Sequence, residues 1–190
     1  VDQLIEELDL RLSAQMDAIL HNETFQELEK PWASLNFLVN RTDFSQNIKV
    51  QILNATKDDL AEDFEDAPEI TQTGLYRRVY TDEYGQFGGE PFGCIVGDYY
   101  FDNSPADVNL LSNMSKVCAA SHSPFISAAS PSMLQMDSWS ELTNPRDLTK
   151  VFSTPDYASF RSLRETEDAK YIALTMPKVL SRLPYGAATE

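Results

Sequence analysis

The sequence predicts an α/β fold, with a mostly parallel sheet of about four strands flanked by helices and an N-terminal helical arm. Three observations carry this reading. Four short runs have strand character, and helix-length segments separate them; parallel strands need such crossovers. Residues 2–20 repeat apolar residues at helical spacing. The chain has 190 residues, 42% of them hydrophobic and 24% charged, which suits one domain with a real core plus a helical appendage.

The elements follow in order. Leu4, Leu8, Leu12, Met16 and Ile19 recur three and four apart and predict an amphipathic helix. A second stripe, Phe25, Leu28, Trp32, Leu35 and Val39, predicts another helix, with its stripe packed on the domain's own core rather than in an intermolecular coiled coil, for which two heptads are too few. Pro31 interrupts it, so a kink near Glu29 or a restart at Pro31 is expected. Ile48, Val50 and Ile52 alternate with polar residues and predict a strand over 47–53. Thr56 offers an N-cap hydroxyl, and Asp58 and Asp59 suit a helix start, so a short helix should run to Asp66. A helix over 72–84 should turn Leu75, Val79 and Tyr80 inward. The stretch from Gly85 to Pro91 is a glycine-rich turn. Residues 92–101 form the strongest strand, apolar almost throughout, as a central strand is. Ser104-Pro105 opens a helix to about Ala120. A strand over 124–129, short proline-broken helices over 130–165 and a strand over 171–176 complete the pattern. Residues 1–42 read as the arm and 43–190 as the α/β domain.

Charge and composition exclude several classes. Thirty acidic residues against 15 basic give a net charge of −15, and no basic patch interrupts that field, so nucleic acid is not a partner. No apolar run approaches the ~18 residues that span a bilayer, and no membrane association is expected. The two cysteines, Cys94 and Cys118, sit in apolar stretches and read as small core residues rather than a disulfide pair. A reducing cytoplasm fits them best.

No residue set points to catalysis, a metal or a cofactor. His122 lies among serines, yet the Gly-x-Ser-x-Gly elbow of an α/β hydrolase is missing, and a helix-end or hydrogen-bonding histidine is the simpler account. Cys118 and His122 are only two of the four ligands that structural zinc requires. Gly85, Gly88 and Gly89 lack the Lys-Ser/Thr of a phosphate loop. They read as positions needing positive φ or close backbone approach. Arg161, Arg164, Glu165 and Asp168 form a dense charged cluster, read as an ion-pair knot with Arg161 and Glu165 as i,i+4 partners.

Seven segments together resemble one known family. They are Phe25-Gln26-x-Leu28-Glu29-x-x-Trp32-x-x-Leu35; Asp66-Ala67-Pro68-Glu69; Phe87-Gly88-Gly89-Glu90-Pro91-Phe92-Gly93; Ser121-His122-Ser123-Pro124-Phe125; Asn144-Pro145-Arg146-Asp147-Leu148; Arg161-x-x-Arg164-Glu165-x-Glu167-Asp168-x-x-Tyr171; and Arg182-Leu183-Pro184-Tyr185-Gly186. In this order and spacing they resemble the large contractile-sheath subunit of bacterial type VI secretion systems, the TssC/VipB/ImpC/EvpB family. The resemblance runs from about Val1 to Gly186. Lys178 stands where arginine is usual, with charge kept.

The resemblance implies a structural protein of the bacterial cytoplasm, assembled on an envelope-anchored baseplate. Its implied partners are the small sheath subunit (TssB/VipA type), neighbouring sheath subunits, the inner-tube protein (Hcp type) and a recycling AAA+ ATPase (ClpV type), whose recognition helix is expected upstream of Val1. The sheath polymerises around the tube and contracts to propel it. Trp32, Phe87, Gly88, Gly89, Arg146, Asp147, Arg161, Arg164, Glu165 and Asp168 are the candidate structural or interface residues. A sheath subunit of another phage-tail-like contractile device is the alternative, and an α/β hydrolase using His122 is the remaining rival.

Overall fold

Three strands, not four, form the sheet in this computed structural model, which describes residues 2–143 and 147–186, the side chain of Asp2 excepted. The chain divides into two compact units, one of Val1–Ile52 with Val179–Glu190 and the other of Leu53–Lys178.

The first unit is built on two helices, α1 (Asp2–Leu20) and α2 (Glu23–Arg41). Asn22 caps α2 by accepting the Phe25 N–H, which satisfies one of the donors a helix start leaves open. The helix is continuous across Pro31, so the restart expected there does not occur. Pro31 deprives the Glu27 carbonyl of its donor, and the turns on either side hold the helix together. The strand expected over 47–53 is absent. Asn47 takes a left-handed turn (φ 59°), Ile48 and Ile52 are exposed, and no strand lies alongside to complete a ladder. Alternation alone does not make a strand without a partner.

The second unit carries the sheet in the order β1 (Ile95–Phe101), β2 (Phe125–Ala129), β3 (Ile172–Thr175), all parallel. The α/β class and the parallel pairing are as the sequence predicts. The long crossover is α5 (Pro105–Ser121), with Ser104 as its N-cap, Pro105 in its first turn and His122 in a left-handed cap at its end. Its buried face includes Val108, Leu111, Met114, Val117 and Cys118, which meet Phe101 and Phe125 from the sheet. Ile95, Tyr99, Ile172 and Leu174 face the same core, while Val96 and Tyr100 point the other way and are exposed. The β1–β2 register slips between Val96 and Tyr100. In that bulge the Ser127 hydroxyl lies 2.9 Å from both the Gly97 and Tyr99 carbonyls, so it satisfies acceptors the ladder has lost.

Smaller elements close the core. Helix α3 (Lys57–Asp66) has the Thr56 N-cap its sequence predicts, and Asp59 returns a bond to the Thr56 N–H, which completes a capping box. The helix expected over 72–84 is interrupted. Thr73 is fully buried and caps a short turn, α4 (Gly74–Tyr76), whose first N–H groups are taken by the Asp63 carboxylate at 2.8 and 3.0 Å. The chain then widens into a π-helix over Arg77–Tyr84. Tyr76, Tyr80 and Tyr84 stack at 5.0 and 5.4 Å along it, and the row continues to His122 and Tyr171. Beyond β2, short helices α6 (Leu148–Phe152) and α7 (Ala158–Glu165) lie among 3-10 turns, as the prolines there predict.

One buried ion pair joins three of these elements. Lys57 Nζ lies 2.6 Å from Asp107 Oδ1, with side chains 30% and 10% exposed. Lys57 also donates to the Tyr100 carbonyl at 3.0 Å and sits over the Phe101 ring. Asp107 accepts the Asp102 N–H at 2.8 Å. The start of α3, the end of β1 and the start of α5 are thereby tied together. Removing one partner strands the other charge in the core margin, so Asp107→Ala is expected to cost about 3 kcal/mol. Urea unfolding followed by circular dichroism measures this; an unchanged midpoint would show the pair to be solvent-screened.

The two cysteines part company. Cys118 is buried as expected, and that burial, with Cys94 adding to it, pushes its thiol up to about 12. Cys94 is exposed, contrary to the core reading, because β1 begins one residue later and leaves it on the approach to the strand. Iodoacetamide at about pH 8 is therefore expected to modify Cys94 in the native protein and to reach Cys118 only on unfolding. Peptide mass mapping checks it, and labelling of both residues at equal rates would contradict the packing.

Candidate functional site

The chemistry-bearing candidates resolve into surfaces rather than a catalytic pocket. His122 is held by its backbone as the left-handed cap of α5, and its Nδ1 lies 2.9 Å from the Tyr171 hydroxyl. Its neighbouring serines are engaged elsewhere. Ser121 donates to the Val117 carbonyl, and Ser123 donates to the carbonyl of Phe92. Neither hydroxyl is aligned with the imidazole as a nucleophile would be. Among the described residues, no three His, Cys, Asp or Glu side chains are placed to hold a metal ion.

The glycine-rich loop does what its residue types predict. Gly88 has φ 84°, a conformation that side chains rarely adopt. Gly89 packs so closely on the chain that a Cβ there would lie 2.0 Å from the Glu83 carbonyl oxygen. The Glu90 N–H donates to the Glu83 carboxylate at 2.9 Å, which fastens the far side of the turn. The Phe87 ring between these anchors is fully exposed. A large apolar side chain on a braced loop is costly to leave in water and ready to be buried.

The first unit exposes more apolar surface. No residue of α2 is buried; Leu28 is 64% and Trp32 65% exposed. Leu28 and Trp32 of the stripe, which the sequence reading packed on a core, are thus exposed, while Leu35 is half-buried. On α1, Leu4, Leu8, Leu12 and Met16 are exposed too. Glu29 on α2 anchors the closing segment of the same unit. It accepts from the Tyr185 hydroxyl at 2.6 Å and from Arg182 Nη2 at 2.8 Å, and the Arg182 guanidinium lies 3.7 Å over the Tyr185 ring. The Tyr185 hydrogen bond, then that of Arg182, holds the Glu29 carboxyl below its usual range. Sequence reading missed this triad. Its members stand in two of the quoted segments, but nothing local signals that residues 153 and 156 positions apart in sequence meet.

The charged cluster before β3 is not an ion-pair knot. Among the described residues no ion pair joins Arg161, Arg164, Glu165 and Asp168. Arg161 instead donates to the carbonyls of Phe152 at 2.8 Å and Thr154 at 2.5 Å. Phe152 ends α6, so its carbonyl has no partner within the helix, and Arg161 Nη1 serves both oxygens at once. Glu165 is exposed and leaves Arg161 to that task. Arg164 is also exposed and reaches over the Phe152 ring at 5.8 Å. Asp168 stands in the first turn of the 3-10 segment that leads into β3. Asp147 caps α6 by accepting the Thr149 N–H at 3.2 Å. Arg146 lies outside the described residues.

Comparison with known proteins bears on these surfaces. The family model described as VipB: EvpB/VC_A0108, tail sheath N-terminal domain, matches residues 2–190. The type VI secretion system sheath protein TssC1 of Pseudomonas aeruginosa is 53% identical over 192 residues, covering 100% of this chain and 39% of that protein. The chain thus spans about two fifths of the length of that curated relative. No helix among the described residues is long and apolar enough to cross a membrane. On a match that runs through nearly all of its length, this chain belongs to the VipB/EvpB family of type VI secretion sheath proteins and carries their tail-sheath N-terminal domain.

Proposed function

We propose that this chain acts within the large subunit of a contractile sheath. That subunit pairs with a small sheath subunit of the TssB/VipA type and polymerises around an inner tube of the Hcp type. Its contraction propels the tube, and a ClpV-type ATPase recycles the contracted sheath. Its place is the bacterial cytoplasm, on a baseplate anchored at the envelope, and its role is mechanical rather than catalytic. The observation that carries this reading is the exposed apolar arm, in which α2 buries none of its residues although Leu28 and Trp32 lie on one stripe. Apolar patches of this kind mark surfaces that another chain covers. The Phe87 loop supports the same reading as a second anchor, braced by Gly88 and Gly89. The engaged serines beside His122 support a non-catalytic role.

Assembly by heterologous contacts needs complementary patches in at least two directions, within a ring and between rings. The arm and the Phe87 loop supply two candidate patches. Charge favours a partner whose facing surface is basic, since the whole chain carries −15.

Two experiments test this. Trp32→Glu in the full-length subunit is expected to abolish co-purification with the small sheath subunit and to remove tubules from negative-stain micrographs, with the far-ultraviolet dichroism unchanged. Normal tubules would place the contact elsewhere. Arg161→Ala is expected to lower stability by about 2 kcal/mol, because it withdraws two charge-assisted hydrogen bonds and leaves the Phe152 carbonyl unpaired. Thermal melting measures this, and an unchanged melting temperature would make Arg161 an ordinary surface charge.

A further inference from the structure

Among the described residues, helices cover the sheet on one face. Phe101, Phe125, Ile95, Tyr99, Ile172 and Leu174 meet residues of α5 and α7 in a single core on that side. The register sets two rows across the other face, Val96–Ile126–Ala173 and Tyr100–Ala128–Thr175, and none of the six residues is charged. Val96 is 60% and Tyr100 44% exposed. Ala173 and Thr175 are exposed too, while Ile126 and Ala128 are half-buried. Sheets of parallel strands are almost always covered on both faces, because each strand brings a crossover with it.

Handedness says which kind of connection reaches the bare face. Crossovers between parallel strands are right-handed. A chain that lays down β1, β2 and β3 side by side in one direction therefore puts both connections on the same face, as α5 and α7 are here. A crossover on the opposite face belongs to a chain that turns back from β3 towards β1. This chain begins that turn. Lys178, three residues past the end of β3, places its Nζ 4.2 Å from the ring of Tyr100, two strands away on β1. The family's sequence continues beyond the matched part, which is an N-terminal domain and covers 39% of the Pseudomonas relative.

We propose that the bare face is covered within the full-length subunit by its own chain beyond this domain, as a crossover that presents an apolar stripe to Val96, Ile126 and Ala173. The small side chains of Ala128 and Ala173 leave room for its close approach. The sheet is then a joint between two parts of one subunit, with this chain supplying the strands and one of the two covering layers. The inference rests on the strand order and on family membership. It is independent of the arm and of the Phe87 loop.

The test uses the full-length subunit, alone and with the small sheath subunit, with p-benzoylphenylalanine in place of Val96. Irradiation followed by peptide mass mapping is expected to give a cross-link within one chain, from position 96 to a peptide beyond residue 190, with or without the small subunit. A second readout uses Ala173→Cys. In the full-length subunit alone, iodoacetamide is expected to modify the new thiol about tenfold more slowly than in the urea-unfolded protein, because cover must open first. Both positions are exposed in this domain, so the variants are expected to fold, which circular dichroism verifies. Cross-links to the small subunit or to a second copy overturn the proposal, since another chain is then the occupant. So do cross-links confined to residues 1–190, no cross-link at all, or alkylation of the Ala173→Cys variant at the unfolded rate, since the rest of the subunit then leaves the face bare.

Discussion

A three-stranded parallel sheet has too little surface to stand uncovered, and here one helix supplies most of the cover. The apolar face of α5 lies against Phe101 and Phe125, with Leu111 and Val117 fully excluded from water. Everything else in the second unit is arranged around that contact. The edge-to-face rings of Phe101 and Phe125 fix the spacing of β1 and β2 beneath the helix. Gly97 admits the Phe125 ring, since a Cβ there would lie 2.6 Å from it. The Lys57–Asp107 pair then sets where α5 begins, and the His122 cap sets where it ends.

The same arrangement explains the polar interior. Parallel pairing with a bulge leaves carbonyls of β1 without ladder partners, and Ser127 answers two of them. The irregular stretch after β2 leaves the Phe152 carbonyl open at the end of α6, and Arg161 answers it while donating also to the Thr154 carbonyl. The buried Tyr157 donates to the Met133 carbonyl in the same region. Short helices in a small domain expose many such ends, and long side chains from neighbouring elements are the economical way to satisfy them. Arginine at 161 serves backbone rather than carboxylate for this reason.

What was readable from the sequence, and what was not, divides along physical lines. The α/β class, the parallel strands, the N-cap at Thr56, the Ser104-Pro105 helix start and the glycine constraints at Gly88 and Gly89 were all legible. Each rests on a local rule: a capping hydroxyl, a fixed proline φ, or a missing Cβ. The strand over 47–53 was misread, although its local signal was equally clear. It depended on what lies across from the segment, which local pattern does not carry.

The sequence by itself determined the α/β class, most helix starts, the family and the acidic field, because these follow from residue type, order and charge. Only the tertiary structure decided which apolar stripes are buried. The α5 stripe is buried on a sheet, whereas Leu28 and Trp32 on α2 are exposed, although both stripes have helical spacing. It also decided the partners of the long charged side chains. Lys57 reaches Asp107 and Glu29 reaches Arg182 across stretches of chain far too long for spacing to encode. An ion pair or an apolar contact depends on distance in space. The sequence fixes distance along the chain only within a helical turn or so, and beyond that the fold brings the groups together or keeps them apart.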